Sequence, residues 1–311
     1  MKEKVIAIVG PTAVGKTALS IQVANKFNGE IISGDSMQVY KGLDIGTAKI
    51  TIDEMQDVPH HLIDIKEPDE DFSVADFKEN VEQNIKDISL RNKVPILVGG
   101  SGLYIQAALY DYQFSNQKRD EEITKQLERE LEQLGNYTLY ERLKIIDPIQ
   151  AEKIHPNNHR RVIRALEVYL STGKTMTEYQ KSQQQEANYD IYFVGLEMER
   201  SLLYERINKR VDLMIENGLV QEVERLYLEG YENHQSMRGI GYKEFIPYFK
   251  GEYSLETAIE LLKRNSRRFA KRQYTWFKNK MDINWYHVTP DTINEKFQII
   301  LYNLAGFLEE K

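Results

Sequence analysis

"GPTAVGKTALS" (residues 10–20) decides how this chain folds. Gly10, Gly15, Lys16 and Thr17 stand at the spacing Gly-x-x-x-x-Gly-Lys-Thr, a phosphate-binding loop when an apolar strand precedes it and a helix follows. Both conditions hold. "VIAIVG" (5–10) reads as a buried strand, and helical spacing runs from Lys16 to about Phe27. In such a loop the backbone N–H groups of residues 11 to 17, including those of Thr12, Ala13 and Val14, cradle phosphate oxygens, with the positive end of a helix behind them. Lys16 reaches the terminal phosphate, and the Thr17 hydroxyl suits Mg2+.

Outward from the loop, strand and helix patterns alternate. "EIISGD" (30–35), "HLIDI" (61–65) and "VPILVGG" (94–100) read as strands, and "FKENVEQNIKDISLRN" (77–92) has helical spacing. Alternation of this kind predicts a parallel sheet with helices on both faces. From about 116 to 190 the pattern changes to amphipathic helical pieces with stops at Gly135, Pro148, Pro156 and Gly173. "KSQQQEANYD" (181–190) suits a linker; "IYFVGLEM" (191–198) and "NWYHV" (284–288) then read as strands. The expected fold is α/β, a P-loop NTPase-like parallel sheet flanked by helices, with an all-α insertion domain. Residues 1–115 and 191–311 would form the core and 116–190 the insertion.

Composition narrows the setting. The chain has 311 residues, 41% apolar and 29% charged, an ordinary balance for a soluble protein. It has no Cys, which excludes disulfides and Cys-ligated metal and fits a reducing compartment. No apolar run approaches a membrane span, and the N-terminus is no signal peptide, so a cytoplasmic protein is expected. The net charge of −7 argues weakly against a nucleic-acid partner, but whole-chain charge hides distribution. Residues 261–280 hold eight basic residues and no acidic one. On a helix, Lys263, Arg264, Arg267, Arg268, Lys271 and Arg272 share one half of the circumference, opposite Leu262, Phe269, Trp276 and Phe277. Six like charges on one face predict a polyanionic partner such as RNA.

The loop does not by itself imply phosphate transfer. A phosphoryl-transfer enzyme of this class places a second Asp at the end of an apolar strand to hold Mg2+. The most apolar later strand, in "PILVGGSG", ends in glycines. The loop would serve equally to stabilise a departing pyrophosphate. Asp35 ends the second strand, so it lies at the same sheet edge as the phosphates, where a base could sit; its ordinary role there would be a helix N-cap. Arg206 and Arg210 are four apart on a helical stretch and point the same way, which suits two guanidiniums on phosphate oxygens.

"GPTAVGKT", "SGDSMQVY", "DIGTAK", "VPHHLID", "LVGGSGLY", "RRVIRALE", "RINKRVDLM", "GIGYKE" and "KRQYTWF" together resemble the tRNA dimethylallyltransferases, in order from residue 6 to about 278. The resemblance implies transfer of a five-carbon group from dimethylallyl diphosphate to N6 of the adenosine 3′ to the anticodon, position 37, with diphosphate leaving. It implies one reaction channel entered from two sides, by diphosphate and by a flipped base. It assigns Asp35 as general base and sets Asp35, Ser36, Met37 and Gln38 against the tRNA. Gln38 carries an amide suited to an adenine edge. Ser101 stands where the family usually has Thr and keeps the hydroxyl that could bond base or substrate. The resemblance favours diphosphate contact for at least one of Arg206 and Arg210.

Arg160, Arg161 and Arg164 on one helical face, with Arg238 and Lys243 around two glycines, are expected tRNA contacts. So are Arg268, Lys271 and Arg272. Arg160 departs from the usual Gln, which keeps a phosphate contact but not a Gln-specific base contact, and Thr124 departs from a frequent Arg, which weakens or removes that expected tRNA contact. His60 and His61 suggest a structural role rather than a metal site. A monomer is expected. Two other functions share these features: a small-molecule kinase on the same loop, and a non-enzymatic RNA-binding nucleotide switch.

Overall fold

The computed structural model describes residues 2–110, 120–181 and 186–310. The chain divides into two compact units, Met1–Leu109 with Ala187–Lys311, and Tyr110–Glu186. The expected boundary at 115/116 lies outside the described residues.

The larger unit is built on a six-stranded sheet: β1 (Lys4–Val9), β2 (Gly29–Ser33), β3 (His60–His61), β4 (Val94–Gly99), β5 (Asp190–Glu197) and β6 (Asn284–His287). The order is β3-β2-β4-β1-β5-β6, and every pairing is parallel. A strand covered on both faces reads as a continuous apolar run, which is why "KVIAIV" carries no alternation. β1 lies at the centre, with Ile6 opposite Ile96 of β4 and Tyr192 of β5. Helices α1 (Lys16–Phe27), α2 (Val74–Leu90) and α3 (Gly102–Leu109) connect or follow the first strands. α2 opens on a reciprocal cap between Ser73 and Asp76.

The third strand is shorter than "HLIDI" predicts. Leu62 and Asp64 have φ of 61° and 55°, left-handed values that break a ladder. The segment turns instead toward residues 38–41, where Asp64 N–H donates to the Gln38 carbonyl and Lys66 N–H to that of Val39. After β5 come α6 (Arg200–Glu216), α7 (Leu219–Leu228), α8 (Leu255–Lys280) and α9 (Ile293–Glu309). The smaller unit holds α4 (Glu121–Ile146) and α5 (His159–Thr172). Gly135, at φ 78°, interrupts α4 and fulfils its reading as a stop. Leu127, Leu139, Leu143 and Leu166 form this unit's own core.

Because all six strands run parallel, their carboxyl ends share one edge. The residues after β1, β2 and β4, namely the loop, Asp35 and Ser101, converge there. Close approach makes this possible: a Cβ on Gly99 would stand 2.4 Å from the Gly34 carbonyl oxygen.

Candidate active site at the carboxyl edge of the sheet

Gly10 and Gly15 adopt φ of 144° and 112°, which side chains strongly disfavour. A Cβ on Gly10 would also meet the Leu196 carbonyl oxygen at 2.5 Å. α1 starts at Lys16 with no side-chain cap, so the loop presents helix N–H groups to an anion. Thr12 is the exception, since its N–H donates to Gln273 Oε1 at 2.9 Å. Lys16 Nζ donates to the carbonyls of Gly10 (3.0 Å) and Pro11 (2.7 Å). Burial and, after it, the charge of Arg210 lower its pKa to about 7, with Asp35 opposing.

Asp35 follows β2 and accepts the Met37 N–H on Oδ1 at 2.8 Å, an Asx turn rather than a helix cap. Burial pushes its carboxyl upward, against the Met37 and Gln38 N–H groups and the charges of Lys16 and Arg210. A desolvated carboxylate is a stronger proton acceptor than a solvated one. Arg206 Nε donates to the Ala13 carbonyl at 3.0 Å, and Arg210 Nη1 lies 3.4 Å from Thr12 Oγ1. Arg206 and Arg210 of α6 therefore both face the loop.

Two cavities meet here. One, of about 810 Å³, is lined by the loop from Thr12 to Thr17, by Asp35 and Gln38, and by Arg206 and Arg210. The other, of about 420 Å³, is lined by Asp35, Ser36, Met37, Ser101, Arg238, Lys243 and Arg272, with Ile207, Met214 and Ile240 among its apolar walls. Thr12, Asp35, Thr47, Ala48, Arg210 and Phe269 line both.

Gln38 faces the loop-side cavity. Its Nε2 donates to the carbonyls of Thr47 (3.3 Å) and Ala48 (3.4 Å), and its Oε1 accepts from Ser33 (3.1 Å). The amide expected to read an adenine is engaged in holding the 47–48 segment.

The basic helix begins earlier than expected, at Leu255, and its cations are not all free. Lys263 pairs with Asp212 at 2.7 Å, and Arg267 donates to Asn208 Oδ1 at 2.5 Å. Arg264, Arg268, Lys271 and Arg272 are exposed. In the smaller unit Arg160 and Arg161 are exposed, whereas Arg164 pairs with buried Glu167 at 2.7 Å. The Thr124 hydroxyl is buried without a hydrogen bond, so it is not presented to a partner. His60 bonds the Val58 carbonyl and His61 bonds Glu30.

Among the described residues no three His, Cys, Asp or Glu side chains gather as a metal cage. The Thr17, Ser33 and Asp35 oxygens on the loop-side cavity are hard donors. A few protein oxygens completed by substrate phosphates are the usual Mg2+ environment, so the residues fit that ion.

Sequence reasoning missed Gln273, which bridges Thr12 N–H and the Gly100 carbonyl from α8 (2.9 and 3.1 Å). It also missed Thr47, Ala48 and Glu222. Only the segments "DIGTAK" (44–49) and "KRQYTWF" (271–277), which carry part of the family resemblance, contain some of them.

A family model described as "IPP transferase" matches residues 38–280. A tRNA dimethylallyltransferase of Oceanobacillus iheyensis is 60% identical over 100% of this chain and 99% of its own length. One from Bacillus pumilus is 56% identical over 99% and 97%. The crystal structure of a full-length tRNA isopentenylpyrophosphate transferase from Bacillus halodurans superposes with a TM-score of 0.76 at 50% identity, covering 99% of this chain and 97% of that one. A eukaryotic dimethylallyltransferase captured acting on tRNA gives 0.84 at 34% identity, covering 99% and 80%.

Proposed function

This chain belongs to the IPP transferase family, and from that premise we propose that it moves the dimethylallyl group of dimethylallyl diphosphate onto N6 of adenosine 37, next to the tRNA anticodon. It is a prenyltransferase; the homologues' function favours this reaction over ATP-dependent phosphorylation or a nucleotide switch. The observation that carries the mechanism is the position of Asp35 on the wall common to two cavities.

Diphosphate would occupy the loop side and the flipped base the side of Met37 and Ser101. As the N6 lone pair attacks C1, the C1–O bond breaks and its electron pair leaves with pyrophosphate. An exocyclic amine is a weak nucleophile, and Asp35 would accept the N6 proton as the new C–N bond forms. Lys16, the loop N–H groups, Arg206 and Arg210 would meet the charge growing on the leaving group. Mg2+, held through Thr17 and diphosphate oxygens, would supply further positive charge there. Ser101 has a hydroxyl within reach of the base-side cavity, and Arg238, Lys243, Arg268, Lys271 and Arg272 would bind tRNA phosphates, with Arg160 and Arg161 doing so from the smaller unit. We take the working form to be a cytoplasmic monomer. No helix among the described residues is long and apolar enough to cross a membrane.

Incubation of the protein with dimethylallyl diphosphate, Mg2+ and unmodified tRNA, followed by mass spectrometry of the nucleosides, tests this. An adenosine heavier by one five-carbon group is expected. Phosphorylated product from a parallel ATP reaction, without prenylated adenosine, would overturn it.

A further inference from the structure

Glu222 projects from α7, on neither cavity wall, yet its carboxylate makes four hydrogen bonds to the site's supports. Oε2 accepts the N–H groups of Asp44 (3.0 Å) and Ile45 (2.8 Å). Oε1 accepts the Gly46 N–H (3.0 Å) and the Tyr242 hydroxyl (2.7 Å). One turn along α7, Arg225 Nη2 donates to the Gly42 carbonyl at 3.1 Å. Residues 44–46 lie outside any helix, so this is not a cap; a carboxylate is gathering three successive N–H groups that would otherwise need water.

What these atoms hold is informative. The next two residues, Thr47 and Ala48, line both cavities, and their carbonyls take the Gln38 amide, three residues from Asp35. Tyr242 belongs to the segment whose Gly239, Ile240 and Lys243 line the base-side cavity. Space is tight: a Cβ on Gly46 would lie 2.6 Å from the Tyr242 ring. One carboxylate thus joins two walls of the base-side cavity and the partition beside Asp35.

We propose that Glu222 is a positioning residue for the transfer reaction: acting through residues 44–48 and Tyr242, it sets the partition and the base-side wall against which the target adenosine is presented to Asp35. This rests on the function proposed above. Glu222→Gln keeps the shape but turns an NH2 group toward donors, so at least one N–H group loses its acceptor. Displacement of a reacting group by about 1 Å costs on the order of a hundredfold in rate. The expected result is a fall in kcat/KM for tRNA of roughly tenfold to a hundredfold, with KM for dimethylallyl diphosphate changed by less than about threefold.

Steady-state kinetics on both substrates, run well below the melting temperature of each variant, distinguish this from simple destabilisation. A lowered melting temperature with unchanged kinetics would overturn the proposal, as would an equal loss on the donor side. Tyr242→Phe, which leaves the three N–H bonds in place, decides the matter if Glu222→Gln does not fold. A raised KM for tRNA at unchanged donor KM supports the proposal, and unchanged kinetics overturn it. Absence of prenylated adenosine from the wild-type protein would instead count against the reaction itself. The wall would then still be read by binding: the variant is expected to weaken tRNA and spare inorganic pyrophosphate, and equal effects on both would overturn the role of Glu222.

Discussion

Asp35 and Lys16 show how burial shifts two opposite charges at one cavity. Burial raises the Asp35 carboxyl and lowers Lys16 to about 7, so each sits nearer neutrality than in water. Asp35→Asn preserves shape and removes basicity. Transfer is expected to slow by roughly a hundredfold to ten-thousandfold, with tRNA affinity in a filter-binding assay nearly unchanged; a rate within tenfold of wild type would remove the base role. For Lys16 the sign follows from burial, which lowers its folded pKa. With a folded pKa near 7 and an unfolded value of 10.5, the empty protein releases its proton early, so its burial weakens the fold most below pH 7 and that cost fades as pH rises through 7 toward 10.5. A bound polyanion restores the charge. Calorimetry of pyrophosphate binding at pH 8, in buffers of different ionisation enthalpy, is therefore expected to show proton uptake by the wild-type protein that exceeds that of Lys16→Met by an amount approaching one proton.

At the scale of elements, α8 does two jobs from opposite faces. Its inner side places Phe269 at the junction of the cavities and Gln273 between Thr12 and Gly100, while Arg264, Arg268, Lys271 and Arg272 are exposed. Charge composition correctly marked a basic face. It overstated the number of free cations, because Asp212 and Asn208 of α6 engage Lys263 and Arg267, a contact between elements some fifty residues apart in sequence. Reversal of Arg268, Lys271 and Arg272 to Glu is expected to weaken tRNA binding and lower the slope of log K against log salt by about 2 to 3, as each lost phosphate contact removes roughly 0.9. An unchanged slope would exclude this face from the interface. β3 gives the complementary lesson. "HLIDI" has strand composition, yet Leu62 and Asp64 leave the extended region as the chain turns toward residues 38–41, and composition carries no trace of that turn.

At the scale of the molecule, each unit has its own buried core, one around the sheet and one around Leu127, Leu139, Leu143 and Leu166. Leu143 is fully buried, so Leu143→Ala is expected to cost about 2–5 kcal/mol in the unfolding of the smaller unit. Pyrophosphate affinity should hold within about twofold, because the loop belongs to the other unit; calorimetric melting and a binding isotherm check both halves of that statement. The sequence alone determined the loop, the parallel sheet, the helical insertion and, through the family, the reaction class, since spacing, periodicity and ordered motifs are properties of continuous segments. Tertiary structure decided that Gln38 bonds the 47–48 carbonyls, that the Thr124 hydroxyl is buried, and that Gln273 and Glu222 bond backbone beside the two cavities. Those roles depend on hydrogen bonds spanning 261 residues from Thr12 to Gln273 and 176 from Gly46 to Glu222. A side chain's local sequence does not specify which distant backbone group will need it; that is set when the strands align and their carboxyl ends meet at one edge.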